Sequence, residues 1–340
     1  MATRSIKATA MAAAAGLMLA TSLACGKPPA SPDTTPSKKV MQEPRGGVSQ
    51  FHTRNVMYRV DQDIVVEMPN MNADIHVFEP NQPFIPANVD DFMVQIHTAE
   101  LTIDEKSMAN LMNKYVFNYP DSPLTNIEIT AAGGKIRQSA RIKKFGLTLK
   151  CDLEGSLRPN GKGQLVLQPD SIKSNGIPVK GLFDLLGVEL TKLINSNEER
   201  GVKIDGNNIV LFPDRMMPPP SLRGFCTGAE ITQGKIKMIF DDGVRREMAG
   251  PLPEPSAKNY ILMWGGNILI NNNLALNAKF QMLDDTPEDP MYYYMPVYRE
   301  QLEAGLTVAT TQGEMIAYLS DVHGTRVEGP SRYKPKLPLR

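Results

Sequence analysis

The sequence predicts an α+β fold in which a long, curved antiparallel β-sheet wraps around one or two amphipathic helices. Three observations lead there. Between Gly163 and Phe240 the hydrophobic period changes twice: Leu165 and Leu167 alternate with polar neighbours, Val179, Leu182, Phe183, Leu186, Leu190 and Leu193 recur at helical spacing, and short alternating runs then return. Upstream, four strand-like runs (Leu124 to Thr130, Lys135 to Lys143, Phe145 to Leu157, Gln164 to Ile172) follow one another across turns at Gly133-Gly134, 144–146 and Asn160-Gly161. Before them, Met108, Leu111, Met112 and Tyr115 share one face of a helix from about Asp104 to Phe117.

From the N-terminus, Arg4 and Lys7 precede an uncharged run from Ala8 to Ala24 and small residues just before Cys25, the pattern of a secretory signal peptide over residues 1–24. The run is too short and too weakly apolar for a permanent span, and no later segment is a better candidate. Ser22-Leu23-Ala24-Cys25 resembles the lipobox of bacterial lipoproteins, with Ser22 where Leu is commonest. The resemblance implies that Cys25 is lipid-modified and becomes the new N-terminus; ordinary cleavage nearby is the alternative. Gly26 rather than Asp follows the cysteine, which by resemblance to lipoprotein sorting implies the outer membrane, facing the periplasm. Residues 25–50, rich in Pro, Ser, Thr and Lys, read as a tether reaching roughly 25–30 Å.

The remaining chain is long enough for an ample core. We divide it into an α+β domain (51–240), a charged, Pro-rich connector (241–258), strands and a helix that extend the same sheet (259–322), and a basic tail (323–340). Lys+Arg and Asp+Glu each total 37, a balance that argues against a general nucleic-acid binder.

Met57 to Val66, Ala73 to Phe78 and Phe92 to Ile96 read as strands, and Thr102-Ile103-Asp104-Glu105 as a capping box for the first helix, which ends at Pro120-Asp121-Ser122-Pro123. In the run from Lys135, residues Ile136, Ala140 and Ile142 face one way while Lys135, Arg137, Arg141 and Lys143 face the other. This basic stripe suits either a solvated, edge-protecting face or a surface that meets anionic headgroups. Pro178 fits the first turn of the second helix, which closes at 195–200. Lys203-Ile204, Ile209 to Phe212, Ala229 to Ile231 and Ile236 to Phe240 are short strands; Tyr260 to Met263, Asn267 to Ile270 and Leu274 to Leu283 are three more, followed by a helix from Pro290 to Ala304 with Gly305 as its stop.

The order of these elements, with Asn160-Gly161-Lys162-Gly163-Gln164-Leu165, the segment from Ser174 to Val179, the apolar helix and then Gly224-Phe225, Glu230-Ile231 and Gly234-Lys235-Ile236, resembles the LmeA-like family of bacterial periplasmic lipid-binding proteins, which are similar in architecture to tubular lipid-binding (TULIP-like) domains. The likeness covers Leu101 to Phe240 and leaves 195–200 and Pro218-Pro219-Pro220 unplaced. It implies a groove for acyl chains, formed here by Met108, Leu111, Met112, Val179, Leu182, Phe183, Leu186, Leu190 and Leu193.

Chemistry-bearing motifs are sparse. His52, His76, His97 and His323 have no metal spacing and read as surface or loop histidines; G-x-S-x-G, P-loop and G-x-G-x-x-G patterns do not occur. No cofactor is implied. Cys151 and Cys226 could pair in an oxidising compartment, although Cys226 is out of phase with Phe225, which favours separate buried thiols. The acidic run from Asp284 to Asp289 fits a calcium-binding turn less well than a helix N-cap, since no Gly stands where an EF-hand loop needs one. Tyr292, Tyr293, Tyr294 and Tyr298 pack the following helix or recognise a sugar. The methionines suit a pliable acyl-chain wall or ordinary gap filling. The expectation is a non-enzymatic, membrane-tethered envelope lipoprotein that binds or shuttles phospholipid or another acylated molecule; the alternative is a structural or assembly lipoprotein with a filled core.

Overall fold

The computed structural model describes residues 47–327 except 121, 145–146, 175–176, 179–196, 271–272, 285, 287 and 324–325. The predicted signal peptide, Cys25, most of the tether, the helix bearing Val179 to Leu193 and the end of the tail lie outside the described residues.

Two long hairpin strands open the fold, β1 (Val48–Asp61) and β2 (Ile64–Val77), followed by β3 (Phe92–Asp104). The run from Met57 to Val66 is therefore two strands rather than one. The chain reverses at Gln62-Asp63, where the Asp61 carboxylate accepts from the Asp63 amide at 2.8 Å, an Asx-type turn that apolar alternation does not reveal. The tether boundary also moves, because Val48, Ser49 and Gln50 already pair with His76, Ile75 and Asp74. Pro69 in mid-β2 cannot donate to a ladder, and the β2–β3 register shifts there, between Glu67 and Asn70.

Helix α1 (Glu105–Leu111) continues as a π-helical stretch, Met112–Val116. Its N-cap is Asp104, whose carboxylate accepts from the Ser107 amide at 2.6 Å. The predicted cap at Thr102 is corrected, since Thr102 is held in β3 opposite Lys237. Glu105 turns outward to accept from the Ala131 amide at 2.9 Å instead of closing a box.

The second sheet is built from β4 (Leu124–Ala132), β5 (Lys135–Lys144), β6 (Leu147–Pro159), β7 (Leu165–Ser174), β8 (Ile177–Pro178), β9 (Val202–Asp205) and β10 (Asn208–Leu211), in the order β4-β5-β6-β7-β10-β9 with β8 beside β7. A short α2 (Pro213–Met216), with Pro at N1, leads to β11 (Ser221–Arg223), β12 (Cys226–Thr232) and β13 (Lys235–Asp241), and the chain rejoins the first sheet. There follow β14 (Tyr260–Trp264), a hairpin of β15 (Ile268–Ile270) and β16 (Asn273–Ala275), β17 (Lys279–Asp284), β18 (Met291–Tyr294), helix α3 (Tyr298–Ala304), β19 (Leu306–Ala309), β20 (Met315–Leu319) and the small pair β21 (Val322–His323) and β22 (Arg326–Val327).

Among the described residues the first sheet has the order β12-β13-β3-β2-β1-β14-β17-β20-β19, with β11 parallel to β3 and β18 parallel to β1. The fold is thus sheet-dominated and largely antiparallel, with few helices. The predicted helix from Pro290 is corrected: residues 291–294 run as a strand beside Val56 to Arg59, and the helix begins at Tyr298. The tyrosine triplet follows strand alternation there, and β-propensity prevails over the proline start signal. Gly305 does follow the helix, because a Cβ there would collide with the Tyr318 carbonyl oxygen.

One core cluster runs between the inner face of the first sheet, α1 and the second sheet, with Ile64, Ile103, Leu165 and Ile236 fully enclosed. A smaller cluster of Tyr260, Leu262, Leu283, Val308, Ile316 and Tyr318 lies on the opposite face of the β14 side, covered by Leu252 and Ala257. The charged 241–258 stretch is therefore a strap bound along the outer face of the sheet. Gly250 passes so close to the Trp264 ring that a Cβ would strike it.

Candidate functional site

On the inner face of the first sheet lies an apolar cavity of about 120 Å3, well above the roughly 10–15 Å3 a single water requires. Its floor is built by alternation. Phe51 on β1, Ile75 on β2, Val94 on β3 and Met263 on β14 point inward because their neighbours His52, His76, Gln95 and Leu262 point outward. Its roof comes from Met217 to Leu222 on one side and from Met295, Tyr298 and Leu302 at α3 on the other. From Phe51 to Tyr58 the β1 wall extends seven residues, roughly 23 Å of strand, so the cavity is long and narrow. Phe84 against Phe92, edge to face at 4.7 Å, lines one end, and Tyr58 stacked on Tyr293 at 6.0 Å lines the other.

Among the described residues no charged side chain lines it. The only lining side chains with oxygen among the described residues are Tyr58, Tyr293 and Tyr298, and burial pushes the Tyr58 phenol up to about 12 and that of Tyr293 well above the ordinary range, so both stay neutral. Tyr293 donates to the Met295 sulfur at 3.6 Å. Six methionines, Met68, Met71, Met217, Met263, Met282 and Met295, contribute to the wall; their unbranched thioethers can follow a guest of varied shape.

No family model, curated protein or solved structure matches this chain.

Of the predicted groove residues, Met108, Leu111 and Met112 are buried in α1 and the adjoining π-helical stretch. They face two smaller spaces of about 40 and 30 Å3, one between α1 and the second sheet (Met108, Met112) and one beside α2 (Met108, Leu111), and they do not line the large cavity. Val179, Leu182, Phe183, Leu186, Leu190, Leu193 and the lipidation candidate Cys25 lie outside the described residues. Sequence reasoning overlooked the β1–β3 face and Pro218, Pro219 and Pro220, which roof the cavity. The available signal was the alternation of Phe92, Val94 and Ile96, all of which line it.

The basic stripe is partly neutralised. Lys135 lies 3.2 Å from Asp170 and 3.6 Å from Glu154, and Arg137 2.8 Å from Glu154. Arg141 is exposed opposite Lys150, and the Lys143 side chain is outside the described residues.

Two histidines depart from the surface reading. His52 and His97 are buried on β1 and β3. His97 Nδ1 lies 2.8 Å from the Asp242 carboxylate, and its Nε2 lies 3.1 Å from Asp74 Oδ2, close enough for an ion pair but off the line of an N–H hydrogen bond. Arg246 reaches the same Asp74 oxygen at 2.8 Å. Desolvation lowers the His52 and His76 imidazoles despite nearby Asp74, so both favour the neutral form. These contacts fasten the strap: Asn72 donates to the Arg246 carbonyl at 2.6 Å, and Gln50 accepts from the Ala249 amide at 3.0 Å.

Among the described residues no three His, Cys, Asp or Glu side chains converge as a metal site. Cys151 and Cys226 are separate thiols, both raised to about 11 mainly by burial. Among its described residues the acidic run caps no helix. Asp284 ends β17 and accepts from the Thr286 amide at 3.0 Å, while Thr286 Oγ1 lies 2.8 Å from both Asp289 and Asp321.

Proposed function

We propose that this protein is a non-enzymatic envelope lipoprotein, anchored through Cys25, that holds an acyl chain of a phospholipid or other acylated molecule in the cavity between Phe84 and Tyr58. The observation that carries the reading is a long, uncharged, methionine-rich space in which a polar ligand would find little compensation for its lost hydration. Apolar surface entering it gains roughly 25 cal/mol per Å2, a term that selects for shape and chain length over headgroup. A TULIP-like frame, with sheet enclosing apolar helices and an acyl chain, is part of the proposal; the buried face of α1 between two sheets supports it.

The test is organic extraction and mass spectrometry of the purified protein beside a Val94→Trp variant. Val94 is buried on the cavity floor, so an indole there occupies the guest's volume. The expected result is co-extracted lipid from the wild type and markedly less from the variant, at nearly unchanged melting temperature of delipidated protein. In a filled core the same change is overpacking and costs about 1–3 kcal/mol; that loss, with no lipid in either protein, would leave the structural reading standing. For the anchor, Cys25→Ser is expected to move the protein from the membrane to the soluble periplasmic fraction, since a single lipid anchor supplies the attachment. Unchanged partitioning would sink Cys25 as the sole anchor.

A further inference from the structure

The β15–β16 hairpin projects apolar residues in two directions. Its register sets Ile268 against Ala275 and Leu269 against Leu274. One face, Ile268, Ile270 and Ala275, packs inward on the core, and Ile270 reaches the cavity lining. The other face carries Leu269 and Leu274, and Leu276 stands in the turn just after β16; Leu274 is 56% and Leu276 69% exposed, the two most exposed large apolar residues of the described chain. Two strands alone are marginal in water, and an outward leucine row adds nothing to their stability there.

Three features identify what covers that row. No charged residue stands between Lys258 and Lys279, so the hairpin has no partner-specific charge pattern to offer and incurs no ionic desolvation on entering a lipid surface. The hairpin docks at the Phe84 end of the cavity: Phe84 donates its amide to the Asn267 carbonyl at 2.7 Å and accepts from the Leu269 amide at 2.9 Å. The N-terminal sequence enters at this same end, where Ser49 bonds the Gly265 carbonyl at 2.7 Å and Val48 is 45% exposed. The tether that the sequence predicts from Cys25 to Gly47 would span roughly 25 Å, so an anchor at Cys25 would hold this end toward the bilayer.

We propose that the β15–β16 hairpin inserts Leu269, Leu274 and Leu276 into the interfacial region of an uncharged lipid bilayer, presenting the Phe84 end of the cavity to the membrane. The proposal rests on the cavity reading above and supplies its loading face. Insertion is driven by apolar burial and is insensitive to salt.

The test uses the Cys25→Ser protein, which lacks the anchor, and vesicles of phosphatidylcholine alone. Expected is co-sedimentation with these vesicles, unchanged between low and high salt, and at least ten-fold weaker for Leu274→Asp combined with Leu276→Asp. In a second protein, Leu276→Trp, fluorescence is expected to be quenched by brominated phosphatidylcholine more strongly than that of Trp264 in the parent. This readout stands even where the aspartates disturb folding. Vesicle binding that the aspartates leave intact, or absence of quenching, overturns the proposal. So does a fall in oligomeric state on the aspartate changes without vesicle binding in the parent, which assigns the face to a second copy. Co-extracted lipid distinguishes the two readings: lipid present without vesicle binding removes only the hairpin, and vesicle binding without co-extracted lipid removes only the cavity.

Discussion

His97→Ala is expected to destabilise the protein by about 3–5 kcal/mol, read as a lower urea midpoint at neutral pH and a melting temperature lower by on the order of 10 °C. The imidazole lies between two carboxylates, Asp242 at 2.8 Å and Asp74 at 3.1 Å, and Asp74 is only 2% exposed. Without the ring, the buried Asp74 carboxylate keeps Arg246 alone, a side chain 46% exposed and anchored on the strap. Removing one partner of a buried carboxylate leaves that carboxylate poorly compensated, which costs more than the contact contributes. The strap also loses the Asp242 attachment, so proteolysis within 242–250 is expected to accelerate. A loss below about 1 kcal/mol would show that Arg246 and local hydration satisfy Asp74 without the histidine.

Asp284→Asn is expected to make the protein more stable at pH 8 and to flatten its stability between pH 4 and 8. Burial, with smaller contributions from Asp321 and Asp289, raises the Asp284 carboxyl to about 8, while the Thr286 amide and hydroxyl pull the other way; in the unfolded chain it titrates near 3.9. Between these values the folded state holds a proton that the unfolded state has released. The contribution of this group is therefore fully present below about pH 4 and is lost as pH rises through 8, at up to about 1.4 kcal/mol per unit. Asn keeps an acceptor for the Thr286 amide without the charge. Urea unfolding of both proteins at pH 5, 6.5 and 8 measures this; parallel curves would mean that Asp284 is hydrated and ionised in the folded state.

Much of the fold was legible because it is local. The runs around Ile136 and Leu153 alternate strictly, the run around Leu167 changes phase before Ile172, and the three form β5, β6 and β7 within a few residues of the predicted bounds. The first helix was equally readable from Met108, Leu111 and Met112. What period alone could not give was partnership. The strands at Lys235 and Tyr260 lie 25 residues apart in number yet border β3 and β1, with β2 between those two. The buried histidines were misread for the same reason: a polar residue on an outer strand face looks exposed until a strap lies over it. At the tyrosine triplet, the proline before it suggested a helix, whereas pairing with Val56 to Arg59 made it a strand. The cavity on the first sheet was not legible from period, because an empty space is a property of how several moderately apolar strands diverge.

The walls of the cavity come from Phe51 to Leu101, from Met217 to Leu222 and from Ile261 to Leu302. These segments meet only when β14 closes on β1 and β11 on β3. No fragment that stops short of Leu302 encloses the space, and contacts of such long sequence separation form slowly. Occupancy is therefore an event of the finished molecule. A guest that binds only the completed walls stabilises the whole chain by mass action, and filling the cavity becomes a chemical report that folding has ended.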